Sequence, residues 1–378
     1  MKTILKKTSL SMAFLIAICI FIYLNLPEIV YEYAQKAKFE YMPRFSQSAV
    51  KEIQSNIYKK AIEDSQEAFF PIIKQNELNL TLDLIADNEE FKIDAKSYKL
   101  LKYKANFLTL VKRAPELGPS YIGSHNEDLF IVQENGLIFS IKTKKLFSGH
   151  SSISADLHQS NIFQFGSYFD FYGQGQFGIK DILIDQGFMY LSYIREIQPD
   201  CFNTSVLKAK IENFLQFSIL FSPDECVEKS SPDFNAHISG GRLVKFKDQK
   251  LLLSIGTYKV IKKIQNNNLD FNRQKPLSYS AQKKSSKLGK ILSIDSQSGE
   301  SQIISIGHRN PQGLYYSEKY DDIFSTEHGP NGGDEINYNK YPDLKEIENY
   351  GWPISSYGGH YGVSSYKRIA DKLNIIEE

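Results

Sequence analysis

The stretch DLFIVQENGLIFSI, residues 128–141, is a short apolar run that ends in polar residues and a glycine before the next apolar run begins. Stretches of the same kind recur as FMYLSYIREI from residue 188, KLLLSIGTYKV from 250 and DIFSTEHGP from 322, a spacing of about 60 to 70 residues. Further strand-like pieces lie between them, among them GGRLVKF before the third and PQGLYYS before the fourth. Turn residues separate these pieces and little of the chain has a helical period, so each repeat reads as several short strands. Stacking such units radially buries their sheet faces against neighbours and leaves only short edges. The repeats predict an all-β fold, a β-propeller with large blades; the long period fits a β-sandwich with insertions less well.

The chain has 378 residues, 42% of them hydrophobic and 13% aromatic, enough to build one large all-β domain or two average ones. Its 45 lysines and arginines nearly balance 44 aspartates and glutamates. There is no basic stripe interleaved with aromatics, so the expectation is no nucleic-acid partner and a neutral or weakly charged ligand.

At the amino end Lys2, Lys6 and Lys7 precede TSLSMAFLIAICIFIYLNLP, residues 8–27, which carry no charge over about the length that crosses a bilayer. Positive charges before the span predict a cytoplasmic tip and a membrane anchor over 1–27, with the bulk of the chain extracytoplasmic or periplasmic. A cleaved signal peptide is the alternative, but no small-x-small site follows Leu26; Ile18 before Cys19 argues against a lipoprotein. Residues 28–117 form a transition segment, with helical spacing over 46–66 and strict alternation over LNLTLDL, 78–84, predicting a helix and then a strand. Cys201 and Cys226 are the cysteines outside the anchor. In an oxidising compartment they predict a disulfide, the alternative being two buried thiols.

GQGQFG, residues 173–178, satisfies G-x-G-x-x-G, but a dinucleotide site needs a helix after it, and IKDILIDQGFMYLSYI reads as strands.

GHRNPQGL (307–314), STEHGPNGGDEIN (325–337) and NYGWP (349–353) together resemble the glucose/sorbosone dehydrogenase family, the soluble pyrroloquinoline quinone (PQQ)-dependent aldose sugar dehydrogenases. GQFGIKDILID resembles that family's GQxGLLD segment, and AHISGGRLVKFKDQKLLLSIG resembles the one bearing its catalytic histidine; the likeness runs from about 118 to 362. It implies a six-bladed β-propeller over 118–378, here apparently truncated after about four blades, with PQQ and Ca2+ as cofactors and a sugar as substrate. Neither the sugar nor the electron acceptor follows from it. In such enzymes calcium holds the quinone and polarises its carbonyl, a histidine takes the sugar hydroxyl proton, and hydride passes to the quinone.

By the same resemblance His237 is the base, a role that imidazole suits because its pKa lies near neutral. Taken singly, it reads as a blade-edge histidine bound to a backbone carbonyl. Arg309 neutralises charge developing on the quinone oxygen. Gln176, Asn310, Gln312 and His328 are the further cofactor-side residues, and the carbonyls of Gly329 and Pro330 are the calcium ligands. Glu335 matches an acid of a second calcium site, or is an ordinary turn carboxylate.

The chain departs from the family in three places. Ala236 stands where some members have an aspartate before the histidine, TYKVIKK follows LLLSIG where an aspartate is usual, and residues 262–287 are an insertion. Two functions of different class follow: a membrane-anchored sugar dehydrogenase, or a non-catalytic propeller that binds sugars or proteins, as in the vertebrate hedgehog-interacting proteins that share the scaffold.

Overall fold

The computed structural model describes residues 80–85, 89–107, 120–166, 177–231, 233–258, 277–329, 333–342, 346–353, 355–356 and 359–360. The expected anchor over 8–27, the helix over 46–66, Gln176 and Pro330 lie outside these residues. Among the described residues no helix is long and apolar enough to cross a membrane.

Strands dominate. β1 (Leu80–Leu84), a β2–β3 hairpin (Glu89–Ile93, Lys96–Leu100) and β4 (Tyr103–Phe107) come first. An antiparallel meander follows: β5 (Ser120–His125), β6 (Asp128–Gln133), β7 (Ile138–Lys142) and β8 (Ser152–Leu157). β1 pairs with both β8 and β4, so residues from before the first repeat complete this sheet in the order β4-β1-β8-β7-β6-β5. β9 (Gln159–Ser160) and β13 (Phe214–Leu215) pair in parallel as a separate two-stranded sheet, while the second sheet is built from β10 (Ile179–Asp185), β11 (Phe188–Gln198), β12 (Cys201–Lys210), β14 (Ser218–Phe221) and β15 (Val227–Glu228). Its path is β10-β11-β12-β14, with β15 beside the start of β12. The third is β16 (Gly240–Phe246), β17 (Lys250–Ile255), β18 (Lys290–Asp295) and β19 (Ser301–Ile306), and the fourth is β20 (Pro311–Ser317), β21 (Asp322–Glu327) and β22 (Glu335–Lys340). β23 (Glu348–Asn349) then returns to lie parallel to β19. A strand, β10, follows GQGQFG where a dinucleotide fold would have a helix.

The first strands of the four sheets, β5, β10, β16 and β20, pack one against the next. That is a propeller-like arrangement, and the side chains show why the sequence specifies it. On β11, Met189, Leu191 and Tyr193 face a core shared with Phe130, Val132 and Ile138 of the first sheet, while Tyr190 and Ile194 face one shared with Leu243, Leu251 and Leu253 of the third. On β17, Leu252 turns the other way, to Leu314 and Ile323 of the fourth sheet. Side chains alternate along a strand, so a strand buried on both faces reads as an unbroken apolar run. FMYLSYI and KLLLSI are such runs. Truncating a fully buried leucine such as Leu253 costs about 2–5 kcal/mol, which gives each inter-sheet core a large share of the fold's net stability.

Cys201, at the start of β12, is disulfide-bonded to Cys226 with their Cα atoms 5.4 Å apart, as the sequence predicts.

Candidate active site

His237 and Arg309 both sit just ahead of an inner strand, His237 before β16 and Arg309 before β20, so the stacking of inner strands brings them to one end of the sheets. Gln176 precedes β10 in the same way in sequence, outside the described residues.

His237 lies exposed in a single 3-10 turn, Ala236–Ile238. Asn235 caps that turn, its Oδ1 accepting from the His237 backbone N–H at 2.9 Å. Tyr258 closes it from the far side: its N–H donates to Ile238 O at 2.8 Å and its carbonyl accepts from Asn235 N–H at 2.8 Å. The Tyr258 ring is fully buried, with its hydroxyl 2.6 Å from Thr204 Oγ1. Asn235 and Tyr258 thus hold the turn around the buried Ala236. Burial first, and then the positive charge of Lys180, keep the His237 imidazole below the ordinary histidine value.

Lys180 lies on β10 and is bonded to Glu134 at 3.0 Å, both side chains being nearly buried. Burial pushes Lys180 down and Glu134 up, and each pulls the other back toward its charged form. A Cβ on Gly241 would come within 2.4 Å of the Lys180 Cβ, and Gly241 has φ +106°, so glycine is what lets the lysine stem cross β16.

The loop carrying Arg309 runs from β19 to β20. Gly307 at its start has φ +77°, and a Cβ there would lie 2.3 Å from Asn349 Oδ1 and 2.6 Å from Gly351 N, so GHRNPQGL and NYGWP are packed together. Trp352 N–H donates to Gly307 O at 2.9 Å, and the Arg309 guanidinium lies over the Trp352 ring, 5.4 Å from its centroid. Arg309 Nη1 donates to His328 O at 2.8 Å and to Gly329 O at 3.3 Å. Thr257 N–H donates to Arg309 O at 3.0 Å.

Asn310 is buried, and its Oδ1 accepts from Gly240 N–H at 3.2 Å, so it joins the Arg309 loop to the segment just after His237. Gln312 Nε2 reaches the His237 carbonyl at 3.5 Å. His328 is exposed, its Nδ1 3.5 Å from Asp334 Oδ2. Asp334 Oδ1 accepts from Gly329 N–H at 3.1 Å. Glu335 starts β22 opposite Glu327.

For a hard cation the donors fit in kind, since the Gly329 carbonyl and the Asp334 and Glu335 carboxylates offer oxygen alone. Among the described residues no group of three or more His, Cys, Asp or Glu is gathered to hold a metal, so a site here depends on backbone carbonyls. For an anionic planar group, the Arg309 guanidinium laid on an indole is a matching surface.

Sequence reasoning missed four residues of this end: Asn235, Lys180, Trp352 and Glu327. The last is buried beneath Arg309 and was legible from phase, because Ile323, Ser325 and Glu327 alternate along β21 on its buried side.

The family model described as Glucose / Sorbosone dehydrogenase matches residues 126–375. Aldose sugar dehydrogenase YliI of Escherichia coli (strain K12) is 26% identical over 223 residues, which cover 55% of this chain and 54% of that protein. Quinoprotein glucose dehydrogenase B of Acinetobacter calcoaceticus is 37% identical over 75 residues, 19% of this chain and 14% of that protein. A solved structure of the soluble aldose sugar dehydrogenase from Escherichia coli in its apo form overlaps with a TM-score of 0.44 at 21% identity, covering 65% of each chain. The chain spans about half the length, or less, of these curated relatives. Since the family model takes in most of the chain and all four meanders apart from the first strand, this protein belongs to the glucose/sorbosone dehydrogenase family.

Proposed function

We propose that the chain oxidises an aldose in a PQQ- and calcium-dependent reaction on the exported side of a membrane. The observation that carries the reading is the meeting of the His237 turn and the Arg309 loop at one end of the inner strands, joined through Asn310 and Gln312. When bound, the quinone supplies a two-electron acceptor for the hydride leaving the sugar carbon, and calcium polarises it. An imidazole nitrogen of His237 takes the hydroxyl proton, so the sugar loses one hydride and one proton. The lowering of the His237 pKa favours the unprotonated form of that nitrogen. Arg309 would offset negative charge on a bound acceptor, and its stacking on Trp352 limits the guanidinium's freedom. Gly329 with Pro330 would hold the quinone's calcium through their carbonyls, Glu335 would belong to a second calcium site, and Gln176, Asn310, Gln312 and His328 would complete the surroundings of the quinone.

The same proposal includes an anchor over residues 1–27, a connecting segment that ends where β1 enters the first sheet, and the family's six-bladed propeller, of which four sheets are seen among the described residues. A row of Tyr315, Phe324 and Tyr338, in register on an exposed face of the fourth sheet, is consistent with packing against a further blade. Reconstitution with PQQ and Ca2+, followed by dye reduction on addition of aldoses, tests the activity. His237→Ala should lose a factor of about 10² to 10⁴, and absence of any aldose-dependent reduction by the wild type rules the reading out.

One observation favours the second reading, a propeller that binds sugar or protein without turnover. Arg309 donates to the Gly329 carbonyl that calcium would use. Calorimetry with Ca2+ and PQQ separates the two, since a pure binding module takes up neither.

A further inference from the structure

Glu327 is a buried carboxylate surrounded by donors. Its Oε1 accepts from His308 Nδ1 at 2.9 Å and from Asn337 Nδ2 at 2.7 Å, and its Oε2 accepts from the backbone N–H groups of Arg309 at 2.6 Å and Asn310 at 3.3 Å. The His308 side chain is 0% exposed and that of Glu327 is 3% exposed. Ser305 Oγ meets the other imidazole nitrogen of His308 at 2.7 Å, and Tyr350 packs on the ring with centroids 4.9 Å apart. A carboxylate deep in the fold is costly unless its oxygens are filled, and here they are filled from three directions.

Three elements depend on this one group. His308, Arg309 and Asn310 lie in the loop between the third and fourth sheets, Glu327 ends β21 and Asn337 lies in β22. Just beyond Glu327 the two segments are joined again. His328 N–H donates to Asn310 O at 3.3 Å, and the Arg309 guanidinium donates to His328 O and Gly329 O. Residues 309–310 and 327–329 are therefore clasped by backbone on one side and by a carboxylate on the other.

We propose that Glu327 is a positioning residue that fixes the backbone of Arg309 and Asn310, and through it the aim of the Arg309 guanidinium. It touches no substrate itself. Its value to catalysis rests on the role proposed above for Arg309, but the positioning is a property of the fold alone.

The test has two independent arms on the full chain. Amide hydrogen exchange reads the clasp directly: in Glu327→Ala the amides of Arg309 and Asn310 should exchange at least about tenfold faster, while those of Leu252 and Leu292 in the third sheet stay protected. Glu327→Gln retains an acceptor oxygen of the same shape, and Asn337 can turn its amide to meet the new NH2, so it should restore most of the protection. Unchanged exchange at Arg309 and Asn310 in Glu327→Ala overturns the inference whether or not the protein binds PQQ. The second arm titrates PQQ with Ca2+ and follows quinone absorbance below the onset of unfolding. Glu327→Ala should weaken binding about 10- to 100-fold, as loss of orienting partners does elsewhere, with Glu327→Gln within about threefold of wild type and the core variant Leu253→Ala unaffected. Where the wild type binds PQQ, equal binding by Glu327→Ala, or no gain from Gln over Ala, also overturns it. A wild type that binds no PQQ but shows the exchange pattern keeps the positioning role and removes the proposed cofactor instead.

Discussion

Oδ1 of Asn235 accepts a hydrogen bond from the backbone N–H of His237, two residues on, across one turn of 3-10 helix. The candidate base is thus held by its main chain, and its ring stays exposed for a substrate. Asn235→Ala should destabilise the protein by about 1 kcal/mol, the usual loss when an N-cap is removed, and should reduce dye-linked sugar oxidation more than it shifts the unfolding midpoint. Asn235→Asp, which keeps the acceptor, should retain both. Identical urea midpoints for wild type and Asn235→Ala would show that the cap carries no load.

The pH behaviour of His237 follows from its surroundings. Partial desolvation of this largely exposed side chain and then Lys180 lower its pKa, so the neutral, base-competent form persists to lower pH than for an ordinary histidine with a value of 6.5. The acid limb of the rate profile should therefore lie below pH 6.5. Removing the Lys180–Glu134 pair together, as Lys180→Met with Glu134→Gln, leaves no buried charge unpaired and should move that limb upward. Proton NMR titration of the His237 ring checks the direction without reference to turnover, and a downward or absent shift contradicts it.

The Cys201–Cys226 bond spans 25 residues of sequence and ties the start of β12 to the chain before β15. Beside it, Glu225 accepts from Ser286 Oγ and from the backbone N–H groups of Lys287 and Leu288, so the bridge also steadies the turn that leads into β18. Closing a loop of this size stabilises by roughly 3 kcal/mol in the chain-entropy model. Reduction, or Cys201→Ser with Cys226→Ser, should lower the free energy of unfolding by that order in urea titrations. Peptide mapping without reductant should recover the two cysteine peptides joined.

The strands were legible in sequence because sheets buried on both faces turn into plain apolar runs, and Gly, Pro and Asn mark their ends; GGRLVKF and PQGLYYS coincide with β16 and β20 residue for residue. The joining of β1 and β4 to the first sheet was not legible, since pairing between segments some 70 residues apart leaves no local trace. At the site, residue types pointed to His237 and Arg309, but the groups that hold them were overlooked. Asn235 looks like any turn residue until its φ of −154° and its cap are seen. Glu327 looks like a solvated charge unless strand phase is followed through β21, which places it on the buried side, and Lys180 looks like one until its buried partner Glu134 is seen.

Lys290 presents two opposed effects whose balance can be measured. Its ammonium is fully buried at the start of β18 and donates to the carbonyls of Ser280 at 2.7 Å, Ala281 at 2.8 Å and Leu288 at 2.7 Å, which pins the 3-10 segment Leu277–Gln282. From that segment Gln282 donates to Trp352 O at 2.6 Å and exchanges hydrogen bonds with Asn349, so the lysine supports the wall on which Arg309 lies. The carbonyls favour the charged form, whereas burial disfavours it. Burial prevails and pushes the pKa down to about 7, with Glu225 pulling it up and Lys287 pushing it further down. The sign follows from proton counts. Between about 7 and 10.5 the unfolded chain holds a proton that the folded chain has released, so unfolding becomes harder as pH rises through that window. Wild type minus Lys290→Met, in which other titrating groups cancel, should gain stability with pH by up to about 1.4 kcal/mol per unit. Urea titrations of both proteins at several pH values from 6.5 to 9.5 measure the difference, and a flat difference would mean that the three carbonyls keep the lysine charged throughout.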